Sequence, residues 1–132
     1  MLRNISAGIA GIVIAIAIVF LADMLSHTMY PMPAGLDTSD IAALGDYIAS
    51  MPLGAYLMII AGWVVATFVG AIVAGKIGTA KAWIYPTIVG GFVFAATTAN
   101  LIAIPHPHWF TAVSLTAILI SAWLAWFVAK SD

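Results

Sequence analysis

The stretch "LGAYLMIIAGWVVATFVGAIVA", Leu53–Ala74, carries no charged residue from end to end. Wound as an α-helix at about 1.5 Å per residue it reaches about 30 Å, the thickness of a bilayer's hydrocarbon core. A strand of a membrane barrel alternates polar and apolar side chains, and this run does not. In lipid, a helix lets such a segment satisfy all its backbone hydrogen bonds internally. Three further runs follow the same logic: Ile5–Leu25, Trp83–Ala103 and Trp109–Ala129. The expected fold class is an all-α membrane protein, a four-transmembrane-helix bundle forming one integral membrane domain over residues 1–132.

Composition points the same way. Of 132 residues, 64% are hydrophobic and 7% charged, and the mean hydropathy is +1.15. Soluble domains are about half apolar and about a quarter charged, so the expected partner is the lipid bilayer. Four basic residues and a net charge of -1 exclude a nucleic-acid partner, which needs a clustered basic surface. With no cysteine, disulfides, thiolate nucleophiles and iron–sulfur ligation are excluded. Glutamate is also absent, which removes the HExxH and ExxH metal motifs and leaves Asp23, Asp37, Asp40, Asp46 and Asp132 as the only acids. The first run is longer than the 7–15 apolar residues of a usual signal-peptide core, so it reads as a retained helix.

The basic residues set an expected orientation. Arg3 precedes the first run, Lys76 and Lys81 lie in the turn "GKIGTAKA", and Lys130 follows the fourth run. The segments Ser26–Pro52 and Ile104–His108 contain neither lysine nor arginine. By the positive-inside rule both termini are cytoplasmic and "IPHPHW", Ile104–Trp109, faces outward. Tyr30, Tyr56 and Trp109 then fall at the outer interface, and Trp83, Tyr85 and Trp126 at the inner one. Trp63 and Trp123 read as packing residues nearer mid-membrane.

Within the long connection, Asp37 or Thr38 reads as an N-cap, with Asp40 in the first turn and Ile41, Leu44, Ile48 and Met51 at helical spacing. This predicts a short amphipathic helix over about 38–51 in the first outer loop. Its polar face carries Asp40 and Asp46 instead of lysine and arginine, so it suits either a lid over the bundle or a solvated loop helix better than an anchor in anionic lipid. Gly62, Ala66, Gly70, Ala74 and Gly78 form a small-residue seam on the second span. Shorter versions occur at Ala7, Gly11 and Ala15, at Gly91, Ala95 and Ala99, and at Ala117, Ser121, Ala125 and Ala129. Such stripes allow close helix contact, either inside one bundle or in a seam with a second copy or another membrane protein.

Asp23 is the only acidic or basic side chain inside the four runs, and intramembrane acids mark pathways and sites. His27 lies one helical turn further on, hence on the same face. Thr97, Thr98 and Asn100 climb the third span toward His106 and His108, while Tyr30 follows the first span at the same level. Three readings stand for this outer layer. Asp23, His27, His106 and His108 offer oxygen and imidazole ligands suited to zinc, copper or iron, although prolines turn residues two apart by about 120°, so that one histidine faces away. Alternatively, Asp23 titrates in a proton-linked transporter of a small solute or cation, working as a dimer. In the third reading the layer is structural: Asp23 and His27 pair by hydrogen bonding to end the helix, within an accessory subunit that has no site of its own. Ser26 beside His27 is not a triad, since sequence adjacency says nothing of reach, and no catalytic set is read.

The segments "DMLSHTMYPMPAGLD", "MPLGAY", "GWVVATFVGAIVAGKI" and "NLIAIPHPHWF" resemble an uncharacterised family of short four-span bacterial membrane proteins. In that pattern an acid and a histidine end the first helix, a "YP.P.GLD" segment follows, and "IPHP.W" opens the fourth. Asp23, His27, Tyr30, Pro31, Asp37, His106 and Trp109 fall on its positions, with Asp23 where the pattern has glutamate and His108 where it varies. The resemblance implies a bacterial cytoplasmic-membrane protein and carries no activity with it.

Overall fold

The computed structural model describes residues 1–130, so Asp132 lies outside the described residues. The described chain is all-helical: α1 (Leu2–Met29), α2 (Ile41–Ala49), α3 (Leu53–Ile77), α4 (Ile84–Ala103) and α5 (His108–Lys130). Of these, α1, α3, α4 and α5 are long and apolar enough to cross a membrane. The long helices alternate in direction, which puts Arg3, the lysine turn and Lys130 at one end, the basic end. Both connections around the histidines then lie at the other, the histidine end. α1 exceeds the expected span on both sides, with 28 residues and a length of about 42 Å. It therefore carries Asp23 and His27 on continuous helix instead of ending at them.

α3 is the central helix, packed on α1, α4 and α5; α4 also touches α1 and α5, whereas α1 and α5 do not meet. The small-residue seam of α3 is used within the chain. A Cβ added to Gly70 would lie 2.6 Å from the Gly11 carbonyl oxygen, and one on Gly11 would lie 2.6 Å from that of Gly70. Each glycine thus admits the other's backbone, and Ala15 and Ala74 close the gap on either side. Further along, Gly62 sits against Ala22. Gly78 is not part of this contact: it is the C-cap of α3, and the Tyr85 ring fills the space its side chain would take.

The α4 stripe at Gly91, Ala95 and Ala99 is exposed, contrary to expectation. Gly90, Val93 and Thr97 are buried in its place, with Gly90 against Ala122 of α5. Lipid accepts glycine and alanine as readily as the interior does, so two adjacent glycines leave the packed face ambiguous. On α5 the expected face holds, with Ser121 and Ala125 buried and the Ser121 hydroxyl donating to the Val64 carbonyl at 2.7 Å.

A hydrogen-bonded clamp closes the basic end. Arg3 Nε donates to the Ile77 carbonyl at 2.7 Å, and the Asn4 side-chain oxygen accepts from the Thr79 amide at 2.8 Å and from the Tyr85 hydroxyl at 3.0 Å. That hydroxyl in turn accepts from the Ala80 amide. Tyr85 is therefore a buried structural residue, not an interfacial anchor. Tyr56 is likewise buried at the histidine end, donating its hydroxyl to the Ile48 carbonyl and packing with Phe110 at a centroid distance of 5.1 Å. Trp63 packs on Phe110, whereas Trp123 is exposed and lies beside Phe127.

α2 starts later than expected because its cap is Asp40, whose carboxylate accepts from the Ala42 and Ala43 amides at 3.1 and 3.2 Å. Asp37 is occupied in its own turn, accepting from the Ser39 hydroxyl at 2.6 Å and the Ser39 amide at 3.0 Å, which holds its carboxyl below the usual range. Of the expected stripe, Leu44, Ile48 and Met51 pack inward together with Tyr47, whereas Ile41, now the first residue of the helix, is exposed. The stripe packs over Tyr56, Ile60 and Phe110, while Gly45 rests against Pro105. α2 is thus docked on the histidine end, as the lid reading requires, and is not a free loop helix.

Candidate functional site

α1 and α4 meet at the basic half, where Gly8 faces Ile88 and Gly11 faces Val89. Toward the histidine end α4 presents Ala96, Thr97 and Asn100, side chains too short to bridge to α1. A cavity of about 570 Å³ results, walled by α1, α3 and α4 and roofed by Leu44, Tyr47, Ile48 and Met51 of α2 and its C-terminal flank. Its deep part is apolar, lined by Ala15, Ile16, Val19, Phe20, Trp63, Phe92 and Val93. Its rim is polar, lined by Asp23, Ser26, His27, Tyr30, Thr97, Asn100 and His106. Ile16, Phe20 and Phe92 line the cavity yet are 51%, 63% and 40% exposed, so the wall between α1 and α4 is open sideways.

The structure brings together most of the residues singled out from sequence. Asp23 and His27 sit on successive turns of α1 and interact electrostatically. Neither forms a hydrogen bond or ion pair with a described residue, and α1 runs past both to Met29, where the Tyr30 amide donates to the Ser26 carbonyl at 2.7 Å. The hydrogen-bonded pair that would have ended the helix is not formed. Thr97 is buried against the cavity. Thr98 is not at the site; its hydroxyl donates back to the Phe94 carbonyl at 2.8 Å, the usual fate of a threonine inside a helix.

The two histidines of "IPHPHW" part company. His106 Nδ1 lies 2.7 Å from the Ile104 carbonyl oxygen, and its ring stacks on Phe110 at 5.3 Å. A carbonyl only accepts, so Nδ1 carries the hydrogen and the neutral ring keeps a lone pair on Nε2. Burial outweighs the Ile104 contact and holds the His106 pKa below the ordinary histidine value, which keeps the ring neutral at neutral pH. His108 instead starts α5, is exposed and does not line the cavity.

Among the described residues there is no group of three or more His, Cys, Asp or Glu placed to hold a metal ion. Zinc, copper and iron sites built on side chains need at least such a set, so Asp23, His27, His106 and His108 do not fit one in this arrangement. The residues that sequence reasoning missed are the apolar and aromatic walls: Val19, Phe20, Trp63, Phe92 and the α2 underside. Each looks like an ordinary lipid-facing or packing residue until the divergence of α1 from α4 is known. No protein-family model matches the chain, and no curated protein or solved structure matches it either.

Proposed function

We propose that the protein is a binding protein for a small amphiphile drawn from the surrounding bilayer. The polar part of the ligand sits among Asp23, His27, Asn100 and His106, and its apolar part extends between Val19, Phe20, Trp63, Phe92 and Val93. One observation carries this reading: a single cavity of about 570 Å³ runs from a polar rim to an apolar floor and opens sideways between α1 and α4. Its size lies within the range of about 300–1,000 Å³ usual for small-molecule sites. With the basic end in the cytoplasm, as the charge distribution favours, the ligand comes from the outer leaflet of the cytoplasmic membrane. The clamp of Arg3, Asn4, Thr79 and Tyr85 supports a cavity closed toward the other side.

The test is equilibrium binding of octyl-chain amphiphiles to the protein in lipid nanodiscs. The expected result is saturable uptake at about one ligand per chain, above the linear partitioning into empty nanodiscs. Uptake indistinguishable from empty nanodiscs for every head group contradicts the reading.

A further inference from the structure

We infer that the ligand's head group is a cation, a lipophilic amine or quaternary ammonium. This rests on the amphiphile reading and adds the chemistry of the head.

The cavity contains no lysine or arginine; Arg3, Lys76 and Lys81 lie at the opposite end of the bundle and Lys130 ends α5. Asp23 is its only carboxylate, and that carboxylate has no hydrogen bond or ion pair with any described residue. An acid on a membrane-spanning helix is costly unless it has a counter-charge, and the chain places no permanent one there. His27, one turn away, interacts electrostatically with Asp23 but forms no ion pair or hydrogen bond with it. The rim also holds one committed acceptor: His106 Nε2 has a free lone pair, because Nδ1 is committed to the Ile104 carbonyl.

Aromatic faces complete the site. Tyr30, Tyr47 and Tyr56 line the cavity toward its rim, and aromatic rings at this level attract an ammonium through their quadrupoles. An anionic head would meet the Asp23 carboxylate with no guanidinium or ammonium to balance it. A neutral head would leave the acid without a counter-charge. A monocation satisfies both the acid and the rings.

The test compares three compounds sharing an octyl chain: trimethylammonium, glucoside and sulfate head groups, each bound to nanodisc-embedded protein. The trimethylammonium compound is expected to bind most tightly, and Asp23→Asn to weaken it at least about thirtyfold, the scale of losing one partner of a desolvated charge pair. Asp23→Asn weakens glucoside binding far less than trimethylammonium binding, so the preference for the cation over the glucoside collapses, and Asp23→Glu, which keeps the charge, retains most of that preference. An unchanged melting temperature of Asp23→Asn establishes that the variant is folded, and Asp23→Ser provides a second uncharged variant. If glucoside or sulfate binds as well as trimethylammonium, or if neither uncharged variant discriminates, the cation inference is overturned while amphiphile binding stands. If no octyl compound binds saturably, the amphiphile reading itself falls.

Discussion

Gly11→Leu leaves no stable bundle, and Gly11→Ala lowers the free energy of unfolding by about 1–3 kcal/mol, the usual cost of overpacking. A single added methyl at Gly11 meets the Gly70 carbonyl oxygen at 2.6 Å, Ala74 Cβ at 2.8 Å and Val89 Cγ2 at 2.8 Å. A backbone oxygen in the middle of a helix cannot rotate away, so α1 and α3 must separate. This contact joins α1 to the central helix, and lipid supplies no hydrophobic drive to compensate for looser packing. Two other glycines serve as internal controls. A Cβ at Gly8 finds its nearest neighbour, Ile88, at 3.7 Å, and one at Gly91 finds nothing within 4 Å. Gly8→Ala and Gly91→Ala are therefore neutral or stabilise by up to about 1 kcal/mol through helix propensity. Thermal unfolding followed by circular dichroism in one detergent ranks the variants, and equal melting of Gly11→Ala and Gly91→Ala would refute the α1–α3 contact.

Ala96→Trp abolishes amphiphile binding without unfolding the protein. Ala96 lines the cavity from α4 and is exposed, so the indole enters empty space instead of a packed core. The added ring occupies the gap between the polar rim and the apolar floor, where the ligand's first chain carbons would lie. Saturable binding of octyl trimethylammonium is expected to fall at least about a hundredfold, with a melting temperature at or above that of the parent, since filling a cavity adds contacts. The matched control is Ala95→Trp, one residue along on the same helix and outside the cavity lining, which leaves binding unchanged. Loss of binding in both variants, or in neither, contradicts the placement of the site.

The four spans were legible because length and continuous hydropathy decide whether a segment can lie in lipid. The small-residue stripes of α1 and α3 were legible as close-packing faces, since no large residue interrupts Ala7, Gly11 and Ala15 or Gly62, Ala66, Gly70 and Ala74, but spacing alone left open whether they meet each other or another chain. The level of the polar layer followed from helix rise and alternating direction, which bring Asp23, His27, Asn100 and His106 to one end. Rotation of α4 did not follow. In water a buried face is marked by hydrophobicity, but in lipid both faces are apolar, so Gly90 and Gly91 carried equal weight and Phe92 gave no sign of lining a cavity. The start of α2 turned on which aspartate caps it, and Asp37 and Asp40 are equally good caps by residue type. Tyr56 and Tyr85 look like interfacial anchors, because the Ile48 carbonyl and the Asn4 side chain that bury them come from other elements. His106 and His108 are separated by where α5 begins, which the prolines alone do not fix.

The central claim is that α1 and α4 diverge toward the histidine end around an open cavity, and the absence of cysteine allows single thiols to report on it. Cysteines placed singly at Val19, Ala96 and Val113 are treated with a charged, membrane-impermeant thiol reagent added from the histidine side. Val113 lies near the start of α5, 47% exposed but outside the cavity lining. The account predicts rapid labelling at positions 19 and 96, slowed by octyl trimethylammonium, and no labelling at position 113. Equal inertness at all three positions would mean that lipid or packed side chains fill the space, and the account would be wrong.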